Sequence, residues 1–155
     1  YSPTHMCSYT KEAAGWLRYV SASYGIGYAL TAVEQQQMGD AALKLDDPLS
    51  EDARFFYIIE AREHDTFFGA PESGVVIYHV TYDEAEGHTV VDVIGTHDER
   101  GAGATAANAD GYATLHLPTT HQGASEYVNA AAAFRVILVT ESASPYRATV
   151  RIEKI

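Results

Sequence analysis

A chain of 155 residues with 46 % hydrophobic and 20 % charged residues, 12 Gly and 5 Pro has the composition of one globular core, and this excludes disordered and fibrous classes. Ten Lys plus Arg against 21 Asp plus Glu leave a net charge of −11, which opposes a phosphate-backbone partner and removes nucleic acid from the ligand classes. The single cysteine, Cys7, cannot close an intrachain disulfide, and no apolar run approaches the roughly 20 residues of a membrane-spanning helix.

In chain order, Ser8 is placed to cap a short helix through Tyr9, Thr10, Lys11, Glu12, Ala13 and Ala14. Gly15 is its stop, and Trp16 and Leu17 are the docked continuation. From Tyr28 onward the pattern has period two. Eight strands are predicted: Gly27 to Glu34, Ala42 to Asp46, Arg54 to Arg62, Gly74 to Tyr82, His88 to Ile94, Tyr112 to Leu117, Ala133 to Glu141 and Tyr146 to Lys154.

The last of these alternates cleanly. Tyr146, Ala148, Val150 and Ile152 share one face, and Arg147, Thr149, Arg151 and Glu153 share the other, as a half-buried strand requires. Phe55 to Ile59 and Val75 to Val80 are apolar on both faces, which predicts central strands covered on both sides. Gln35 to Gly39 and Gly101 to Asn108 read as loops.

The expected fold is therefore mainly β, an antiparallel β-sandwich or partly open barrel with one short N-terminal helix. The expected division is a helical segment over residues 1–20 and a single β-rich domain over residues 21–155.

Catalytic motifs are scarce. Seven histidines occur without an HExxH, an HxH or a Cys/His pair at zinc-finger spacing. His64-Asp65 and His97-Asp98 fall at turns, where Asp bonds its own backbone, and His79 in an apolar strand reads as a satisfied core or interface histidine. No GxSxG elbow surrounds a serine, and Cys7 reads as a small buried filler. Neither Gly25-Ile26-Gly27 nor Gly101-Ala102-Gly103 has the Lys-Ser/Thr ending of a phosphate loop.

Glu60 and Arg62 stand out, because two-residue spacing on a strand sends both to the apolar face of Phe56 and Ile58. A structural ion pair, or separate bonds to backbone across a subdomain seam, is the favoured reading, since buried charges must be paired or hydrogen-bonded. Among acidic residues near turns, Asp83 and Glu84 are the calcium candidates, with hard oxygen ligands but no EF-hand spacing.

Three blocks in chain order, Pro3 to Leu17, Phe56 to Arg62 and Pro71 to Val80, resemble segments of secreted metallopeptidases of the immune inhibitor A and gametolysin type. Pro3 to Leu17 is similar to that family's P-x-H-L-S-A-W-x-K-x-x-L-G-W segment, with Tyr9 in place of the usual Trp. Phe56-Tyr57-Ile58-Ile59-Glu60-Ala61-Arg62 resembles its Y-F-L-I-E-x-R. Pro71 to Val80 resembles its L-P-G-x-G-L-L-I-Y-H-V-D, with Thr81 and Tyr82 standing before the first acidic residue, Asp83. The match covers roughly residues 1–84.

The resemblance implies a region that follows the zinc-site helix of a secreted or cell-surface peptidase, residues 1–20 being the end of the peptidase unit. It also implies zinc ligands and a Glu general base that lie upstream of everything in this chain. No cofactor is then expected in these residues: zinc enters only if an upstream catalytic domain exists, and calcium stays open.

The expected function is a non-catalytic C-terminal portion with a docking or scaffolding role, partnered by an upstream catalytic domain. Trp16 would anchor the helix exit and Glu60 with Arg62 would fix the seam. Trp16, Glu60, Arg62 and His79 are the structural or interface candidates, and no residue is assigned to catalysis.

The alternative is a stand-alone extracellular structural or adhesion module that self-assembles or binds a surface partner, to which 11 Tyr are suited. A carbohydrate-binding sandwich using Tyr19, Tyr24, Tyr28 and Tyr112 is a third reading. A chain starting at Tyr1, with no Met or leader before it, reads as a processed product or a fragment.

Overall fold

Ser8–Ala13 forms the short helix α1, and its end follows from one glycine. Gly15 adopts φ 76°, a left-handed conformation that costs a residue without Cβ little. In that conformation the Trp16 amide donates to the Lys11 carbonyl at 2.8 Å and the Gly15 amide to the Glu12 carbonyl at 2.9 Å, the paired bonds of a Schellman cap.

The computed structural model describes residues 8–32, 41–63, 73–94, 125–142 and 145–155. The predicted strand Tyr112 to Leu117, the loops at Gln35 to Gly39 and Gly101 to Asn108, the pairs His64-Asp65 and His97-Asp98, and Cys7 lie outside them.

Nine strands follow the helix among the described residues: β1 Arg18–Ser21, β2 Gly27–Thr31, β3 Ala41–Asp46, β4 Phe56–Arg62, β5 Gly74–Asp83, β6 His88–Ile94, β7 Glu126–Asn129, β8 Phe134–Ser142 and β9 Arg147–Lys154. They make two sheets, ordered β1-β3-β4-β5-β6 and β2-β9-β8-β7, and neither closes into a barrel. The fold is mainly β, two sheets with one short helix, as the strand pattern predicts.

Two strands are additions to the sequence reading. β1 and β7 are four residues each, too short for an alternating pattern to stand out. β1 pairs with β3 in parallel, Arg18 opposite Ala41 through Ser21 opposite Lys44, a single parallel edge on a β-sandwich-like pair of sheets. The other pairings are antiparallel.

Between the sheets lies the larger core. Leu43, Leu45, Tyr57, Ile59, Val75 and Ile77 of the first sheet meet Phe134, Val136, Leu138, Val150 and Ile152 of the second. Each such side chain, fully buried, contributes roughly 1.5 to 3 kcal/mol of hydrophobic stabilisation.

A smaller core covers the outer face of the first sheet, where Ala42, Phe56, Ile58, Val76, Tyr78 and Val80 pack with Leu17 of the N-terminal arm and with Tyr9 of α1. This explains why β4 is buried along its whole length: one face meets the other sheet and the opposite face is roofed by the arm.

Candidate functional site

The roof is pinned by a carboxylate. The outward face of β4 runs Phe56, Ile58, Glu60, Arg62, so a strand otherwise built to bury methyl groups carries an acid beside a base. Glu60 has a side-chain exposure of 0 %, and its Oε1 receives Nη1 of Arg62 at 3.1 Å and the hydroxyl of Tyr78 at 2.9 Å. Tyr78 stands opposite Ile58 on β5, one diagonal step from Glu60, within reach of a long side chain.

The other oxygen, Oε2, accepts the backbone N–H of Ser8 at 2.7 Å. Ser8 opens α1, where first-turn amides have no partner within the helix, and a negative charge there is favoured by the exposed N–H dipoles. Glu60 thus joins β4, β5 and the start of the arm through a single buried carboxylate. Ser8 Oγ is buried beside it with no hydrogen-bond partner among the described residues.

Trp16 is 60 % exposed, whereas Leu17 is 5 % exposed. The residue that anchors the helix exit is therefore Leu17, and the role expected of Trp16 is corrected: the Schellman cap turns the chain so that position 17, not 16, faces the sheet.

His79 belongs to a second polar centre, at the rim between the sheets. Its Nε2–H donates to Asp47 Oδ2 at 2.8 Å, the carboxylate being an acceptor only, and its ring stacks on Tyr57 at 4.3 Å with an interplanar angle of 6°. Asp47 is buried just after β3, where its Oδ1 accepts the Leu49 amide at 2.9 Å in a local turn.

The Tyr57 hydroxyl accepts Nδ2 of Asn129 at 3.1 Å, which carries the contact from β4 across to β7. Burial, reinforced by the negative charge of Asp47 and by Tyr127, pushes the Tyr57 hydroxyl well above its ordinary pKa.

Asp47 orients the imidazole, but an oriented imidazole is half of a nucleophilic arrangement. Asp47 is its one hydrogen-bond partner among the described residues, with no Ser, Thr or Cys hydroxyl or thiol on the other nitrogen. The geometry supports a tie between β5, the β3–β4 turn and the second sheet.

The calcium candidates are engaged otherwise. Asp83 Oδ1 accepts the amides of Ala85 at 2.8 Å and Glu86 at 3.1 Å, and Glu84 pairs with Arg54, which also holds Asp52 and lies over the Tyr82 ring. No group of three or more His, Cys, Asp or Glu able to hold a metal ion occurs among the described residues.

Tyr19 packs edge-on against Phe56, Lys154 lies over Tyr24, and the Tyr28 hydroxyl accepts the Ser23 amide. Tyr112 lies outside the described residues. No described helix is long and apolar enough to cross a membrane.

Sequence reasoning singles out Glu60, Arg62 and His79 but not their partners Ser8, Tyr78, Asp47, Tyr57 and Asn129. One usable signal existed: an acid on an apolar strand face needs a donor, and Tyr78 is the one hydroxyl in the run Val75 to Val80.

No family model, no curated protein and no solved structure matches this chain.

Proposed function

We propose that this chain is a non-catalytic docking or scaffolding portion of a secreted metallopeptidase-like protein. The observation that carries the reading is the buried Glu60 centre, which holds the start of the N-terminal arm through the Ser8 amide at 2.7 Å. A fold that commits a fully buried carboxylate to the Ser8 amide holds the start of α1 in one position on the first sheet, as a docking or scaffolding element requires. The His79 centre adds a rigid tie between the sheets, which suits a support more than a site of turnover.

The reading is tested on the native polypeptide by intact mass and N-terminal sequencing, together with casein hydrolysis by the 155-residue chain in added zinc. A native chain that extends upstream and carries a zinc-site helix, with an inactive 155-residue chain, supports it. Chelator-sensitive cleavage by the 155 residues alone overturns it.

Trp16 favours a second reading, a structural or adhesion module that assembles with copies of itself, because a large exposed aromatic on an ordered arm is the residue type that anchors interfaces. Mass photometry distinguishes the two: a discrete oligomer that dissociates on Trp16→Ser supports the module.

A further inference from the structure

The outer face of the second sheet carries a groove of about 370 Å³ over β2, β9 and β8. Register sets its lining. Thr31, Arg147 and Ser142 form one cross-strand row, and Ala29, Thr149 and Thr140 form the next. The depth comes from β2, whose outward positions are Gly27, Ala29 and Thr31, all small beside the long side chains that β9 presents.

Arg147 differs from the other arginines on this face. Arg151 and Arg135 both pair with Glu153, at 2.7 and 2.5 Å, whereas Arg147 is exposed and makes no ion pair with a described residue. In a chain with 21 acidic and 10 basic residues, an arginine left without a carboxylate at the edge of a cavity has its planar fork open for one.

The remaining lining narrows the ligand. Four hydroxyls, on Thr31, Thr140, Ser142 and Thr149, can each donate and accept, which suits a body bearing many hydroxyl groups. Among the described residues no aromatic ring lines the groove, and the polar side chains are the ones placed to carry recognition. Glu141 also borders the groove, but it shares a row with Leu30 and Ala148 and turns its side chain to the core side, where it accepts the Tyr146 hydroxyl at 2.8 Å, so Arg147 is the one cation among the described lining residues and matches a single carboxylate.

We propose that this groove binds a hydroxylated monocarboxylate of the uronic-acid type, with its carboxylate on the Arg147 guanidinium and its hydroxyls on the threonine and serine rows. The site is separate from the Glu60 and His79 centres, and it stands whether or not the docking reading does.

The test is an amide NMR titration of the isotope-labelled full chain with galacturonate, in parallel with galactose, which lacks the carboxylate, and acetate, which lacks the hydroxyls. The expected result is saturable shifts centred on Ala29, Thr31, Thr140, Ser142, Arg147 and Thr149 with galacturonate, and weaker binding of both controls.

Arg147→Gln should weaken galacturonate binding about tenfold, the worth of one hydrogen-bonded charge contact. Ala29→Leu fills the floor without touching the guanidinium and should weaken binding as well. Unchanged amide dispersion away from the groove establishes that both variants fold. Absence of saturation, galactose or acetate binding as tightly as galacturonate, or full affinity in Arg147→Gln would each overturn the proposal.

Discussion

Glu60 Oε2 and the backbone amide of Ser8 meet at 2.7 Å across 52 residues of sequence, the contact that locks the N-terminal arm onto the first sheet. Its removal deprives Ser8, Arg62 and Tyr78 of a shared buried acceptor. Glu60→Ala is expected to destabilise by about 3 to 5 kcal/mol, as breaking a buried charged pair does. Glu60→Gln keeps one acceptor oxygen and should cost about 1 to 2 kcal/mol. Urea unfolding monitored by tryptophan fluorescence reads both, and a loss below about 1 kcal/mol for Glu60→Ala would show that the carboxylate holds nothing essential.

Leu17 and its neighbour Trp16 give a sharper contrast. Leu17 is packed into the outer core of the first sheet, and Leu17→Ala should cost about 2 to 5 kcal/mol through the cavity it leaves. Trp16→Ser, at a position 60 % exposed, should stay within about 0.5 kcal/mol of the parent. Thermal unfolding by circular dichroism ranks the two, and an equal or reversed ranking would mean that the arm is anchored elsewhere.

Tyr57 sets a pH limit on the alkaline side. Burial first, then the charges of Asp47 and Tyr127, raise its hydroxyl above the ordinary value of 10.0, so the unfolded chain releases this proton more readily than the folded one. The stabilising contribution is fully present below pH 10.0 and is lost as pH rises through the folded value, because the unfolded state then binds fewer protons. Tyr57→Phe should flatten the decline of stability above that pH. At neutral pH it should cost about 1 kcal/mol for the lost bond from Asn129. An alkaline limb unchanged in the variant would assign the decline to other groups.

How much of this was legible in the sequence depends on the length scale of the signal. β4, β5 and β9 declare themselves because each carries its pattern within seven to ten contiguous residues: β4 and β5 are apolar on both faces, β9 on one. β1 does not, since Arg18, Tyr19, Val20 and Ser21 become a strand only through parallel pairing with β3, a contact that no local pattern encodes.

The candidate sites divide in the same way. Glu60 and Arg62 reveal themselves by contradicting the apolar face they occupy, but Ser8 enters through its main-chain amide, which has no side-chain signature. Asp47 and Asn129 look like ordinary turn residues until the fold brings them to His79 and Tyr57. The groove at Arg147 depends on small residues of β2 lying beside β9, two strands separated by more than a hundred residues.

Ala133 offers a gain in stability. It closes the turn between β7 and β8 at φ 55°, the left-handed region in which a Cβ crowds the following carbonyl. The turn is held in place from outside: the Ala132 amide donates to Asn129 Oδ1 at 2.9 Å, and the Ile155 amide donates to the Ala133 carbonyl at 3.0 Å. Ala133→Gly removes about 1 to 2 kcal/mol of strain and adds about 0.5 to 1 kcal/mol of unfolded-chain entropy. The net expectation is a stabilisation of about 0.5 to 1 kcal/mol, or a rise in melting temperature of roughly 1 to 4 °C. Ala133→Val tests the same strain in the opposite direction, since a β-branched side chain tolerates positive φ worst and Ala133 is exposed, so no packing compensates. Calorimetry on the pair decides it: a Gly variant no more stable than the parent, or a Val variant no less stable, would mean that the turn relaxes out of the left-handed region in solution.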